Sequence, residues 1–228
     1  MTTDILIIGS GGAGLSAALR AKELDYDVIV ATKTLPTNAN TCMAQGGFNA
    51  SSNDDVQTHI EDTMRASRGI SSETMIKTMC EKSSVALDWL LSLGVPFSLD
   101  DNGSLVNRFM GGSTKKRTYY AEDYTGLKIL QTLYDTCLKN NITFKENYYL
   151  LNLIVDEDSK EVSGATFLDI ASGEVEEIRA KSVIIATGGY SGIYHGFTTN
   201  GFGSCGDGIA ATIRAGGVAS DLEFVQFH

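Results

Sequence analysis

The sequence has little proline, little basic charge and no long apolar run. Only 2 of its 228 residues are proline, whereas 24 are glycine, which favours a fold with many tight turns around a ligand. The formal net charge is −10 and no basic stripe occurs, so we expect no nucleic acid partner. No run of about 18 apolar residues occurs, so the sequence predicts no membrane-spanning helix.

Cysteine and histidine are also scarce and scattered. No C-x-x-C pair is present, so we expect neither zinc nor an iron–sulfur cluster to be bound within this chain. The cysteines are expected to be reduced structural thiols. The residues concerned are Cys42, Cys80, Cys137, Cys205, His59, His195 and His228.

The first turn of the chain carries the strongest motif. The apolar run Ile5–Ile8 leads into Gly9-Ser10-Gly11-Gly12-Ala13-Gly14, and a helical pattern follows. In this strand–turn–helix context, Gly9 permits the tight turn, Gly11 lets the backbone approach a pyrophosphate, and Gly14 lets the helix pack closely. The N-terminus of the helix offers N–H groups and a positive dipole to phosphates. The motif therefore predicts an adenine dinucleotide site.

The remaining periodicities predict an α/β fold, a Rossmann-like parallel sheet with helices and an inserted antiparallel β-meander. Long loops are expected over 34–53 and 100–123, and the first of them is long enough to be functional. Helices are predicted over 14–24, 54–66, 73–93, 126–140 and about 206–215. Strands are predicted over 4–8, 28–31 and 183–186, with a meander over 144–145, 150–156, 162–169 and 175–180.

Two observations favour FAD over NAD. An NAD site usually has an acidic residue at the end of the second strand, where this chain has Ala31-Thr32-Lys33. A second glycine turn, Ala186-Thr187-Gly188-Gly189, and the helix start Gly206-Asp207-Gly208 can hold the far end of an extended ligand, and Ala44-Gln45-Gly46-Gly47 lets backbone lie against a ring system. An NAD-dependent dehydrogenase would need a ribose-binding acid that this sequence does not offer.

Together the motifs resemble one family along the whole chain: the flavoprotein subunit of fumarate reductase and succinate dehydrogenase, with L-aspartate oxidase as a relative. Its motifs here are Gly9–Gly14, Ala44–Gly47, Gly94–Phe97, Arg117–Gly126, Ala186–Gly189, Gly206–Gly208 and Leu222–His228. The resemblance implies that residues 1–228 are the N-terminal portion of an FAD-binding domain that is incomplete at its C-terminus, with the capping domain absent from this chain.

The resemblance also implies roles for individual residues. The pyrophosphate would lie at Gly9, Ser10, Gly11, Gly12, Ala13 and Gly14, and the adenosine end at Thr32 and Lys33. Asn40, Thr41, Gln45, Gly46 and Gly47 would lie along the flavin, while Ala186, Thr187, Gly188 and Asp207 would complete the cofactor site. His228 would bind a substrate carboxylate, and Met110 would lie in the substrate loop.

Three departures from the family pattern are informative. Asn40 stands where many members attach FAD through a histidine, so we expect non-covalent FAD, which suits fumarate reduction or oxidase chemistry better than succinate oxidation. Met110 stands where phenylalanine is common, which leaves the substrate less defined. The proton-donating arginine of the family has no counterpart up to His228, so no catalytic residue is expected here and the 228-residue chain alone is expected to be inactive.

For the whole protein, the resemblance implies hydride transfer between FAD and a four-carbon dicarboxylate, with fumarate reduction in anaerobic respiration favoured. An iron–sulfur subunit and a quinone-reactive, membrane-associated subunit would be partners, which places the protein in the cytoplasm or at the membrane; export through a removed leader stays open. L-aspartate oxidase and an FAD-binding module without catalysis are the alternatives.

Overall fold

A computed structural model describes residues 1–225 of the chain, so the predicted role of His228 lies outside the described residues. The chain forms two compact units, one of residues 1–41 with the chain from Leu133 onward, the other of Cys42–Thr132. The helices are α1 (Gly12–Glu23), α2 (Val56–Ser67), α3 (Glu73–Ser92), α4 (Thr125–Lys139) and α5 (Asp207–Arg214). The strands are β1 (Thr2–Ile8), β2 (Val28–Thr32), β3 (Phe48–Asn49), β4 (Asn107–Arg108), β5 (Thr118–Tyr119), β6 (Thr143–Glu146), β7 (Tyr148–Val155), β8 (Val162–Asp169) and β9 (Val175–Ile185).

The first unit is built on a six-stranded sheet with the order β6-β2-β1-β9-β8-β7. The four strands β6, β2, β1 and β9 are parallel, and β9, β8 and β7 form an antiparallel meander. The predicted α/β fold, a Rossmann-like parallel sheet with an antiparallel meander, is confirmed. All of β2 is buried, as expected for a central strand of a parallel sheet.

The core of this unit joins the parallel strands to the meander. Leu6 and Ile29 belong to one buried cluster with Leu150, Phe167 and Ile178. Burial of large apolar side chains is worth roughly 1.5–3 kcal/mol each. The packing therefore fixes β1 and β2 firmly, and with them the turns at their carboxyl ends.

Two strands differ from the sequence prediction. The segments 175–180 and 183–186 were predicted as separate strands, but β9 is one strand of 11 residues that pairs with β8 on one side and β1 on the other. The segment 144–145 was predicted in the meander, but β6 pairs in parallel with β2. Alternation of side chains along a strand does not reveal which strand lies beside it. The sequence therefore showed neither that β6 pairs with β2 nor that one strand, β9, pairs with both β8 and β1.

The second unit contains α2, α3 and the three-stranded sheet β3-β5-β4. Ile60 from α2 and Ile76 and Cys80 from α3 form its buried apolar cluster. The segments predicted as long loops thus contain short strands, besides a 3-10 helix over Asn40–Met43. Among the described residues, no helix has both the length and the apolar character needed to cross a membrane.

The four cysteines are unpaired thiols. Burial raises the pKa of Cys137 to about 12, and its thiol contacts the carbonyl oxygen of Leu15 at 3.8 Å. Cys80 is also fully buried. Because the thiolate is the reactive form, these two residues serve packing rather than chemistry. The described part of the chain holds no group of His, Cys, Asp or Glu side chains arranged to bind a metal ion.

Candidate functional site

Three turns of the first unit meet at the carboxyl ends of its parallel strands. The Gly9 N–H donates to the Ala31 carbonyl at 2.8 Å, and the Ala186 N–H donates to the Ile8 carbonyl at 2.8 Å. These bonds bring the ends of β1, β2 and β9 side by side. In open α/β sheets this edge is where ligands bind.

The glycines of the first turn are required by close backbone contacts. Gly9 has φ of +110°, and a Cβ there would lie 2.3 Å from the Ala186 carbonyl oxygen. A Cβ at Gly14 would lie 1.9 Å from the Gly9 carbonyl oxygen. An added Cβ at Gly11 would lie 3.5 Å from Thr41 Oγ1 and 3.7 Å from Ala39 Cβ, which are ordinary contact distances. Gly9 and Gly14 are therefore required by the turn itself, whereas the protein alone would tolerate a side chain at Gly11.

The helix α1 begins within this glycine turn. Its N-cap residue, Gly11, has no side-chain cap of its own, and its first turn has no acidic residue. The Thr41 hydroxyl, 29 residues along the chain, accepts a hydrogen bond from the Gly12 N–H at 3.0 Å, so this one donor is used within the protein. Because no acidic side chain neutralises the first turn, the positive end of the helix dipole remains suited to an anion such as a phosphate.

Ser10 ties the turn to the end of β2. Its hydroxyl donates to the Pro36 carbonyl at 2.8 Å, so the Thr32 hydroxyl is the donor in the 2.9 Å bond between Thr32 and Ser10. Ser10 and Thr32 are both buried. These predicted contact residues therefore hold the turn in shape, and their hydroxyl protons are used within the protein.

Lys33, Asp207 and Tyr149 form a charged cluster at the same edge. The Lys33 ammonium forms an ion pair with Oδ2 of Asp207, and the Tyr149 hydroxyl donates to Oδ1 of Asp207 at 3.2 Å. Lys33 Nζ also lies 5.5 Å from the centre of the Tyr149 ring, within cation–π range. Lys33 and Asp207 were predicted from the sequence, although 174 residues separate them; Tyr149 was not.

Asn40 connects two segments that are distant in sequence. Its side-chain oxygen accepts from the Gly201 N–H at 2.8 Å, and its side-chain nitrogen donates to the Ser204 hydroxyl at 2.8 Å. Both halves of the amide are therefore used. Asn40 thus holds the segment before α5 next to Thr41, and the Thr41 hydroxyl in turn accepts a hydrogen bond at the α1 N-terminus.

The remaining predicted cofactor and substrate residues lie in the second unit. A Cβ at Gly46 would lie 2.6 Å from Met110 Cε, so the Met110 methyl packs directly on the Gly46 backbone. Gly47 has φ of +129°, and a Cβ there would lie 2.7 Å from the Tyr119 carbonyl oxygen. Arg108 donates to the Gly46 carbonyl at 2.8 Å. Close packing within the second unit is therefore one reason why neither position, Gly46 or Gly47, carries a side chain.

A buried ion cluster that the sequence did not predict crosses the second unit. Arg117 is 1% exposed; its Nε donates to Asp55 at 2.7 Å and its Nη1 to Asp62 at 2.7 Å. Arg117 hydrogen bonds lower the pKa of Asp55. Burial alone would raise the pKa of Asp62, but bonds from Thr114, Arg117 and Arg65 hold that pKa well below its ordinary value.

His59 lies beside this cluster. Its Nδ1 is 2.5 Å from the Ser51 hydroxyl, and both side chains are buried. Burial, followed by the Arg117 charge, lowers the pKa of His59, so the ring stays neutral at neutral pH. With so little solvent access the Ser51–His59 pair is a structural contact rather than a nucleophile and base.

With this geometry in place, comparison with known proteins decides the family. A sequence model described as the FAD binding domain matches residues 4–228. The chain belongs to the FAD binding domain family. It is 38% identical over 231 residues to the flavoprotein subunit of the 8-methylmenaquinol:fumarate reductase of Wolinella succinogenes, covering 99% of this chain and 37% of that protein.

Further relatives agree with the resemblance drawn from the motifs. L-aspartate oxidase 1 of Ralstonia nicotianae is 35% identical, with 100% of this chain and 44% of that protein covered. A solved structure of E. coli quinol fumarate reductase superposes with a TM-score of 0.89 at 29% identity, covering 94% of this chain and 37% of that chain. This FAD-binding chain therefore spans less than half the length of these relatives.

The residues of the first unit fit an FAD pyrophosphate. The backbone at Gly11 carries no side chain, the α1 N-terminus has no acidic residue in its first turn, and the Lys33 charge at the same edge is balanced by Asp207. The structure thus brings together the predicted residues at positions 9–14, 32–33, 40–41, 186–188 and 207. Those at positions 45–47 and 110 lie together in the other unit.

Proposed function

We propose that this chain is the FAD-binding part of a fumarate reductase or succinate dehydrogenase type flavoprotein, and that the whole protein reduces fumarate. The observation that carries the proposal is the close-packed glycine turn Gly9–Gly14, which leads into the α1 N-terminus and lies at one sheet edge with Lys33 and Asp207. The family resemblance supports the same assignment, since the relatives named above include a fumarate reductase subunit.

In this proposal the residues of the first unit hold and orient the cofactor. Gly11 admits the pyrophosphate, the N–H groups of α1 bind it, and Thr32 and Lys33 lie at the adenosine end. Bound FAD supplies hydride transfer to or from a four-carbon dicarboxylate. From the family resemblance we also propose that Gln45, Gly46 and Gly47 contact the flavin, that Met110 belongs to the substrate loop, and that His228 binds a substrate carboxylate.

FAD is non-covalent in this proposal. Asn40 stands where many family members carry the flavin-linking histidine, and an amide side chain cannot form that bond. Both halves of the Asn40 amide are engaged by Gly201 and Ser204. The side chain thus has a fixed structural task in place of the covalent one, which supports fumarate reduction over succinate oxidation.

We further propose that electrons reach FAD from outside this chain. No iron–sulfur ligand set occurs among the described residues. A separate iron–sulfur subunit and a quinone-reactive, membrane-associated subunit would supply electrons, and they would hold the protein at the membrane. This chain spans 37% of the length of the fumarate reductase subunit named above, so we propose that residues 1–228 alone are inactive and bind FAD weakly.

L-aspartate oxidase is the second candidate, because a relative of that activity matches the whole chain. It would act with oxygen and without an iron–sulfur partner. The aromatic pair Tyr119-Tyr120 before Ala121-Glu122-Asp123 favours the fumarate reductase side. An FAD-binding module without catalysis is the third candidate.

A pair of assays on the complete protein, as its gene encodes it, separates these candidates. We expect fumarate-dependent oxidation of reduced viologen under nitrogen, and no hydrogen peroxide from aspartate in air. Peroxide formation from aspartate without fumarate turnover would establish the oxidase instead. Bound FAD with neither activity would leave the non-catalytic module.

A further inference from the structure

The carboxylate of Asp207 has a separate donor on each oxygen. Lys33 pairs with Oδ2, and the Tyr149 hydroxyl donates to Oδ1 at 3.2 Å. The carboxylate plane is therefore fixed by two groups from two different strands or strand ends. Asp207 is the first residue of α5, and its side chain is 16% exposed.

Tyr149 touches both members of the ion pair. Besides its bond to Asp207, its ring lies under the Lys33 ammonium, with 5.5 Å between Nζ and the ring centre. Lys33 alone could pair with either carboxylate oxygen and could swing away on its flexible stem. The Tyr149 ring restricts that movement, while its hydroxyl restricts rotation of the carboxylate.

This restriction matters because the site must accept an anion. An ionised carboxylate at an edge that takes a negatively charged cofactor repels that cofactor unless a cation neutralises the carboxylate and fixes its orientation. We propose that Tyr149 is a positioning residue that orients Asp207 and Lys33 for FAD binding. This inference rests on the proposed function, because it takes FAD as the ligand of the sheet edge.

The protonation of Tyr149 agrees with such a role. The Asp207 charge, followed by burial, raises the pKa of Tyr149. The hydroxyl therefore keeps its proton at neutral pH and remains a donor to Asp207.

The adjacent residue offers a matched control. The Tyr148 hydroxyl donates to Glu176 at 2.9 Å, and Lys145 lies 5.1 Å from the Tyr148 ring centre. This is the same combination of tyrosine, acid and lysine, with Tyr148 in the core cluster. Tyr148→Phe thus removes the same kind of bond without touching Asp207.

The test is a double-mutant cycle on FAD affinity, made in the complete protein after flavin removal. Tyr149→Phe keeps the ring and removes the donor, so we expect the FAD dissociation constant to rise about 10-fold. In an Asp207→Ala background the same change should have less than a twofold effect, because the oxygen that accepts the Tyr149 hydroxyl is gone. Tyr148→Phe should leave FAD affinity unchanged, and thermal unfolding of each apoprotein reports any general loss of structure.

Equal FAD affinity of Tyr149→Phe and the unaltered protein would overturn the inference. So would an undiminished 10-fold effect in the Asp207→Ala background, or an equal loss of affinity in Tyr148→Phe. Failure of the unaltered protein to bind FAD at all would instead overturn the proposed function, and this inference with it.

Discussion

Gly11→Ala is expected to raise the FAD dissociation constant by at least about 100-fold, about 2.7 kcal/mol, while leaving the apoprotein folded. An added Cβ at Gly11 meets nothing in the protein closer than 3.5 Å, and the backbone there has φ of −71°, which alanine adopts readily. The expected loss comes from the cofactor instead, because we propose that the pyrophosphate approaches the Gly11 backbone closely and an added methyl group would hinder that approach. Isothermal titration of the complete apoprotein with FAD measures the effect.

Gly14→Ala and Gly111→Ala serve as the two comparison variants. At Gly14 the Cβ would lie 1.9 Å from the Gly9 carbonyl oxygen, so this change should lower both stability and FAD binding. At Gly111 nothing lies within 4 Å of an added Cβ, so stability should change little. If Gly11→Ala bound FAD as tightly as the unaltered protein, the pyrophosphate would not lie at this turn.

Arg117→Met is expected to lower the free energy of unfolding of the second unit by about 3 kcal/mol or more. The guanidinium is 1% exposed and serves two carboxylates, Asp55 and Asp62, which would be left buried without their main partner. Arg179→Met is the control, because Arg179 pairs with Glu177 in solvent and should contribute less than about 1 kcal/mol. Urea unfolding of both variants at pH 7 gives the comparison.

The free energy of unfolding should fall as the pH is lowered. The pKa values of Asp55 and Asp62 are lowered in the folded chain, so their stabilising contribution is present above the ordinary value of 3.8 and lost as pH falls through the folded values. The lowered pKa of His59 adds a loss that begins as pH falls below 6.5. In Arg117→Met the acid dependence below pH 4 should flatten. Equal stability of Arg117→Met and Arg179→Met would contradict this account.

The sequence predicted best what depends on local pattern. The turn Gly9–Gly14 and the buried strand β2 follow from spacing and apolar runs, and both occupy the expected places. Contacts between distant segments left no such pattern. Arg117 meets Asp62 across 55 residues, and Asn40 meets Ser204 across 164. An arginine in a polar loop resembles any exposed arginine until its partners are known.

The same limit applies to the sheet and to Tyr149. The strand β9 pairs with different neighbours on its two sides, which alternation of side chains does not encode. Tyr149 and Tyr148 are adjacent aromatic residues in one strand, and only the fold shows that one faces Asp207 and the other Glu176. The sequence motifs therefore predicted which residues form the cofactor site, and the fold added the contacts that support them.

The measurement that tests the account most directly is acid precipitation of the complete purified protein, with mass analysis of the supernatant and flavin fluorescence of the pellet. The account predicts FAD in the supernatant, close to one per protein chain, and a pellet without flavin, because Asn40 cannot link the cofactor. Flavin fluorescence that stays with the precipitated protein would contradict non-covalent binding. A nicotinamide dinucleotide in the supernatant in place of FAD would contradict the cofactor assignment itself.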